Sequence, residues 1–67
     1  MAVARVTEIT ASSPKSFEDA VRIGIDRAQK TLDQVRGAWV KEQKVVVDNG
    51  RIAEWHVTMK VTFILKD

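Results

Sequence analysis

Apolar side chains recur at every second position over the last part of the chain. Ala53, Trp55, Val57, Met59, Val61, Phe63 and Leu65 alternate with Glu54, His56, Thr58, Lys60, Thr62 and Lys66, and only Ile64 interrupts the polar series. A period of two predicts a strand over Arg51–Leu65 with one buried and one polar face. A different period governs the middle of the chain. Phe17, Ala20, Val21, Gly24, Ile25, Ala28, Leu32 and Val35 follow one another mostly at steps of three and four, which predicts an amphipathic helix from about residue 15 to 34. Its opposite face carries Glu18, Arg22, Asp26 and Lys30, spaced four apart with alternating sign, as on a solvated helix.

The flanking segments complete the pattern. Val3 to Ile9 is rich in β-branched residues and reads as a first strand, broken by Thr10-Ala11-Ser12-Ser13-Pro14. Two helix starts fit: Ser13 capping with Pro14 at the first helical position, or Ser16 capping with Asp19 three residues on. Gly37 closes the helical stretch, and Ala38 to Val47 reads as a second strand. Asp48-Asn49-Gly50-Arg51 places Asn-Gly between two strand-like runs, a hairpin signal. Gly24, inside the helix, costs about 1 kcal/mol against alanine. Close approach of the helix to a sheet or to a partner explains it equally well.

The expected fold class is therefore α+β, a β-α-β-β domain spanning residues 1–67 with a three-stranded sheet wrapped on one helix. A helical crossover joins strands one and two as parallel neighbours do, and a hairpin joins strands two and three. The order 1-3-2 satisfies both and makes the sheet antiparallel at each pairing. The third strand is too long for a compact domain. It extends about 50 Å at 3.3 Å per residue, whereas a globule of this length has a diameter near ~28 Å. Apolar sheet surface then remains uncovered, and a second copy of the chain is the simplest cover.

Composition sharpens that expectation. Sixty-seven residues give a marginal core, because so short a chain buries only about 60% of its unfolded surface. Small scaffolds compensate with disulfides, a structural metal or oligomerisation. The chain has no cysteine and one histidine, which excludes disulfides, thiolate zinc sites and an intrachain imidazole cage. Oligomerisation remains. The net charge of +2 arises from 11 basic and 9 acidic residues interspersed along the chain, so no basic run predicts nucleic-acid binding. No apolar run approaches the roughly 18 residues of a membrane span, and Met1 to Arg5 shows no secretory h-region. A soluble, cytoplasmic protein is expected. Nucleophilic catalysis needs a base beside the nucleophile and a third group to orient it. With one histidine, no cysteine and serines confined to one turn, no enzyme is expected.

Several blocks resemble the dodecins, small hollow dodecameric proteins of which many bind flavins. They are Arg5-Val-Thr-Glu-Ile9 followed by Ser12-Ser-Pro14, then Ser16-Phe-Glu-Asp-Ala20 with Ile25-Asp-Arg-Ala28 and Thr31-Leu32, and finally Trp55-His-Val-Thr-Met-Lys-Val-Thr-Phe63. The resemblance covers nearly the whole chain. It implies a homododecameric shell with two-fold and three-fold contacts, ligands at the two-fold interfaces, and storage or sequestration without turnover. In flavin-binding dodecins a tryptophan after the helix stacks on the ring system and a glutamine on the last strand hydrogen-bonds it. Here those positions fall on Gly37 and His56, so the chain departs from the family's pattern.

The resemblance makes a flavin (riboflavin, FMN or FAD) the expected ligand, with Arg36, Gly37, Trp39 and His56 as candidate binding residues. Trp39 lies two residues beyond Gly37, hence on the same strand face, and can stack in place of the missing indole. Arg36 offers a flat guanidinium. The alternative is a flavin-free shell that is purely structural or binds metal ions such as calcium, with which some relatives lacking the stacking tryptophan are associated. Asp48, Glu54 and His56 are the metal candidates, because symmetry multiplies each donor around an axis. The simpler readings stand beside these: Asp48 as a turn residue, His56 as a hydrogen-bonding residue and Trp55 as core. Arg5 and Glu8 suit an ion pair across strands or subunits. Lys41, Lys44 and Arg36 also suit a coenzyme or nucleotide, which nothing else in the sequence favours.

Overall fold

The computed structural model describes residues 3–32 and 34–65. Strand β1 (Val3–Ser13) leads into helix α1 (Phe17–Thr31), and strands β2 (Val35–Asp48) and β3 (Arg51–Leu65) follow as a hairpin. The sheet order is β1-β3-β2, and both pairings with β3 are antiparallel. This is the expected architecture. The molecule measures 52 × 19 × 13 Å, so the long third strand does project beyond a compact body.

The core lies between one face of β3 and one face of α1. Val57, Met59 and Val61 are fully buried there, with Ala20 and Ala28 from the helix. Ile9, Ala11, Phe17, Val21, Ile25 and Val40 pack round this centre. Small residues at every fourth helical position let α1 lie close on the sheet. A Cβ added to Gly24 would sit 2.6 Å from Met59 Cε and 3.1 Å from Ala11 Cβ. The close approach that Gly24 provides is therefore to the chain's own sheet.

The turn into the helix is fixed by serines. Ser16 is the N-cap, its hydroxyl accepting from the Asp19 backbone N–H at 3.0 Å. Of the two starts that the sequence allows, this is the one used. Ser13, buried at the end of β1, donates to Asp19 Oδ2 at 2.6 Å and accepts from the Lys15 N–H at 2.9 Å. That carboxylate also meets Arg22 at 2.7 Å, and Arg22 reaches Asp26 at 3.3 Å. The Ser13 hydrogen bond and then the guanidinium hold Asp19 below its ordinary pKa. Asp19 in turn raises that of Arg22.

Three boundaries differ from expectation. β1 continues through Thr10–Ser13, because each of these residues has a partner on β3, ending with Ser13 opposite Trp55. The helix ends at Thr31, with the Leu32 N–H bonded to the Ala28 carbonyl. Residue 33, within the expected helical stretch, lies outside the described residues, as does Lys66. Gly37 does not terminate the helix. Gln34 makes the turn instead, at φ 53°, and Gly37 sits inside β2 opposite Thr62.

Candidate functional site: the sheet face away from the helix

Register assigns every strand residue to a face, since partners across a ladder point the same way. Val57, Met59 and Val61 face α1, so Glu54, His56, Thr58, Lys60 and Thr62 face away from it. β1 adds Ser12, Thr10, Glu8 and Val6, opposite His56, Thr58, Lys60 and Thr62. β2 adds Val46, Lys44, Glu42, Trp39 and Gly37, opposite Glu54, His56, Thr58, Lys60 and Thr62. A bulge between Val40 and Glu42 leaves Lys41 without a ladder partner. The result is a broad polar surface with one indole in it.

That indole belongs to Trp39 and is 74% exposed. It lines a small cavity of about 110 Å³ with Val40, Lys41 and Lys60. Lys41 Nζ spans the sheet to Glu8 Oε1 at 3.1 Å. Glu8 is therefore matched with Lys41, and the expected pairing with Arg5 does not form within one chain. Gly37 shares the face of Trp39, as its spacing required, and a Cβ built there meets nothing within 4 Å. The backbone beside Trp39 is thus uncovered. Arg36, the other candidate for stacking, is exposed and hydrogen-bonds Gln34 Oε1 at 3.3 Å.

His56 lies further along the same face. Its Nε2 is 2.9 Å from Glu54 Oε1. With Thr10, Glu42, Gln43, Lys44 and Thr58 it lines a second cavity of about 210 Å³. His56 is four positions along β3 from Lys60, the partner of Trp39, a distance of about 13 Å along the strand. Trp39 and His56 line separate cavities on this face. Asp48 sits at the hairpin end opposite Arg51, apart from the Glu54–His56 pair. Among the described residues, no group of three or more His, Cys, Asp or Glu side chains is placed to hold a metal ion.

The backbone matches proteins of known fold over nearly its full length. It superposes on dodecin from Streptomyces davaonensis with a TM-score of 0.95 and 41% identity, over 98% of this chain and 97% of that one. The family model for dodecin matches residues 3–66. The chain belongs to the dodecin family. Among the dodecins, the protein from Streptomyces coelicolor gives a TM-score of 0.94 at 32% identity, covering 98% and 94% of the two chains. Calcium dodecin from Mycobacterium tuberculosis is 32% identical over 66 residues, 98% of this chain and 93% of its own. Its crystal structure, described as having a novel calcium-binding site, superposes with a TM-score of 0.83, over 96% of this chain and 91% of that one. No helix among the described residues is long and apolar enough to cross a membrane.

The sequence reasoning placed Gly37 and Trp39 on one face, and the register agrees. It missed Lys60 and Lys41 as neighbours of Trp39. Lys60 was legible as an outward residue of the alternating strand, but the ladder register that sets it opposite Trp39 was not. The bulge that frees Lys41 leaves no mark in the local sequence.

Proposed function

We propose that this chain binds a flavin between copies of itself in a homododecameric shell and holds it without turnover. The observation that carries this reading is the Trp39 indole, 74% exposed on a sheet face that no helix covers. A large flat apolar ring is stabilised by contact with another, and stacked aromatic pairs contribute about 0.5–1.5 kcal/mol beyond area burial. Membership of the dodecin family supports a ligand of this shape. Assembly is supported by the weakness of the single chain's own core. Among the described residues five hydrophobic side chains are buried, while Val3, Val6, Ile23, Trp39, Val45, Val47, Ile52 and Leu65 are exposed. Two copies meeting on their outer faces would bring together Trp39 and His56 groups that one chain keeps apart. His56 would supply a hydrogen-bond donor or acceptor to the ring edge.

Titration of purified protein against riboflavin, FMN and FAD, followed by flavin fluorescence, tests the reading. Quenching that saturates at micromolar protein is expected for at least one of the three, and its loss by roughly tenfold in affinity in Trp39→Ala. An absence of quenching with all three overturns it.

The calcium dodecin relative favours a second reading, a shell that binds calcium and no flavin. The Glu54 carboxylate, held by His56 at 2.9 Å, is the oxygen donor that such a site would gather from neighbouring copies. Calorimetric titration with calcium of protein that fails to quench flavins distinguishes the two, and Glu54→Gln would abolish the heat.

A further inference from the structure

Glu54, His56 and Thr58 follow one another at every second position of β3, on the face away from the helix. β1 ends at Ser13 opposite Trp55, so Glu54 has a ladder partner on β2 alone. That partner is Val46, whose side chain offers a carboxylate no donor. Glu54 turns along its own strand instead, and its Oε1 comes to 2.9 Å from His56 Nε2. Among the described residues this is the one hydrogen bond that the ring makes.

A carboxylate has acceptors and no donor, so the hydrogen between these two atoms belongs to the imidazole. A neutral imidazole carries one such hydrogen. With Nε2 holding it, Nδ1 is left as a lone pair, an acceptor only. The His56 side chain is 29% exposed, beside the cavity of about 210 Å³ that it lines with Thr10, Glu42, Gln43, Lys44 and Thr58. The groups around it agree with this assignment. Lys44, opposite His56 on β2, is a donor only and suits a bare Nδ1. Glu42 is opposite Thr58, one pair further along, and the hydroxyl of Ser12, opposite His56 on β1, donates or accepts as its neighbour requires.

We infer that Glu54 is a positioning residue that fixes the tautomer of His56, and that the ring thereby selects ligands presenting an N–H at their edge. The inference rests on the flavin reading above and adds what the site discriminates. The pyrimidine ring of a flavin is a cyclic imide, with one N–H between two carbonyls. A glutamine amide has both a donor and an acceptor, and meets either the N–H or a carbonyl. An imidazole locked by Glu54 meets the N–H alone. A ring edge that bears only carbonyls sets acceptor against acceptor and loses the bond.

Fluorescence titration with riboflavin, and with riboflavin methylated at the imide nitrogen, tests the selection. The wild type should bind the methylated flavin about tenfold more weakly. A methyl group also adds bulk, so Glu54→Gln is measured beside it. The glutamine amide either accepts from Nε2 or donates to it, which leaves both tautomers open, and the penalty should shrink to about threefold or less. Equal penalties in the two proteins overturn the inference, and so does equal affinity of the wild type for the two flavins. A second measurement needs no ligand. Because the chain has one histidine, solid-state nitrogen resonances of untagged, histidine-labelled protein at mildly alkaline pH report on His56 alone. A protonated Nε2 and a bare Nδ1 are expected. A proton on Nδ1 overturns the inference even where flavin binds. The expected resonances with no quenching by either flavin overturn the flavin reading, and the selectivity with it, while the role of Glu54 in fixing the ring stands.

Discussion

The two glycines at positions 24 and 37 should respond to alanine with opposite signs. In an exposed helix, Gly→Ala stabilises by about 1 kcal/mol, because alanine loses less backbone entropy. At Gly24 the new methyl would stand 2.6 Å from Met59 Cε, 3.1 Å from Ala11 Cβ and 3.5 Å from Ile9 Cδ1. The methionine end can swing, but Met59 is fully buried and has little space to enter. Ala11 Cβ is tied to its backbone, so the helix must rise by a few tenths of an ångström. Overpacking of this kind costs about 1–3 kcal/mol. The difference is a net destabilisation near ~1 kcal/mol, or a Tm lowered by about 4–8 °C in a chain of this size. At Gly37 a Cβ meets nothing, and alanine in a strand should stabilise by about 0.5–1 kcal/mol. Thermal unfolding followed by circular dichroism checks both, at one fixed protomer concentration, since assembly makes Tm concentration-dependent. In a Met59→Leu background, which removes the terminal methyl, the penalty of Gly24→Ala should shrink. A Tm raised equally by Gly24→Ala and Gly37→Ala would refute the close approach of α1 to the sheet.

Further outcomes follow from the same geometry. Ser16→Ala removes the acceptor for the Asp19 N–H and should cost about 1 kcal/mol in chemical denaturation. Asp19 has a folded-state pKa below its unfolded value of 3.8. Its contribution to stability is therefore present above pH 3.8 and lost as pH falls through the folded value. Asp19→Asn should consequently be less stable than the wild type at neutral pH, and the gap should narrow in an acid titration of unfolding. Gly37→Trp adds an indole to the open sheet face two residues from Trp39, where a new Cβ meets nothing within 4 Å. Flavin quenching should saturate at lower protein concentration in that variant, and an unchanged curve would show that the Gly37 position does not face the ligand.

What could be read from the sequence follows how local each determinant is. The alternation from Ala53 to Leu65 fixed β3 to the residue, because burial on one face repeats at every second position. The stripe from Phe17 to Ala28 located the body of α1, though not its ends. The helix end was misplaced because Gly37 is the residue that conventionally stops a helix, whereas the turn is made at Gln34, whose positive φ no composition rule anticipates. β1 was read too short since Thr10, Ser12 and Ser13 look like a loop until β3 supplies partners for them. The candidate site was legible as far as spacing carries. Trp39 and Gly37 sharing a face follows from strand geometry alone. That Lys60 stands opposite Trp39, and that Lys41 crosses the sheet to Glu8, depends on register and on a bulge. Those are settled by contacts between distant segments.

The placement of the two tryptophans on opposite faces of one sheet has an optical consequence. The chain has no tyrosine, so Trp39 and Trp55 dominate its near-ultraviolet absorption. Trp55 is half-buried on the helix side, opposite Ser13 and Val45, whereas Trp39 stands in solvent on the other. Emission from Trp55 reports whether the helix is seated, and emission from Trp39 reports what touches the open face. Replacing either indole with phenylalanine leaves a single-colour probe of the other, so loss of the fold and occupation of the surface can be followed as separate signals in one cuvette.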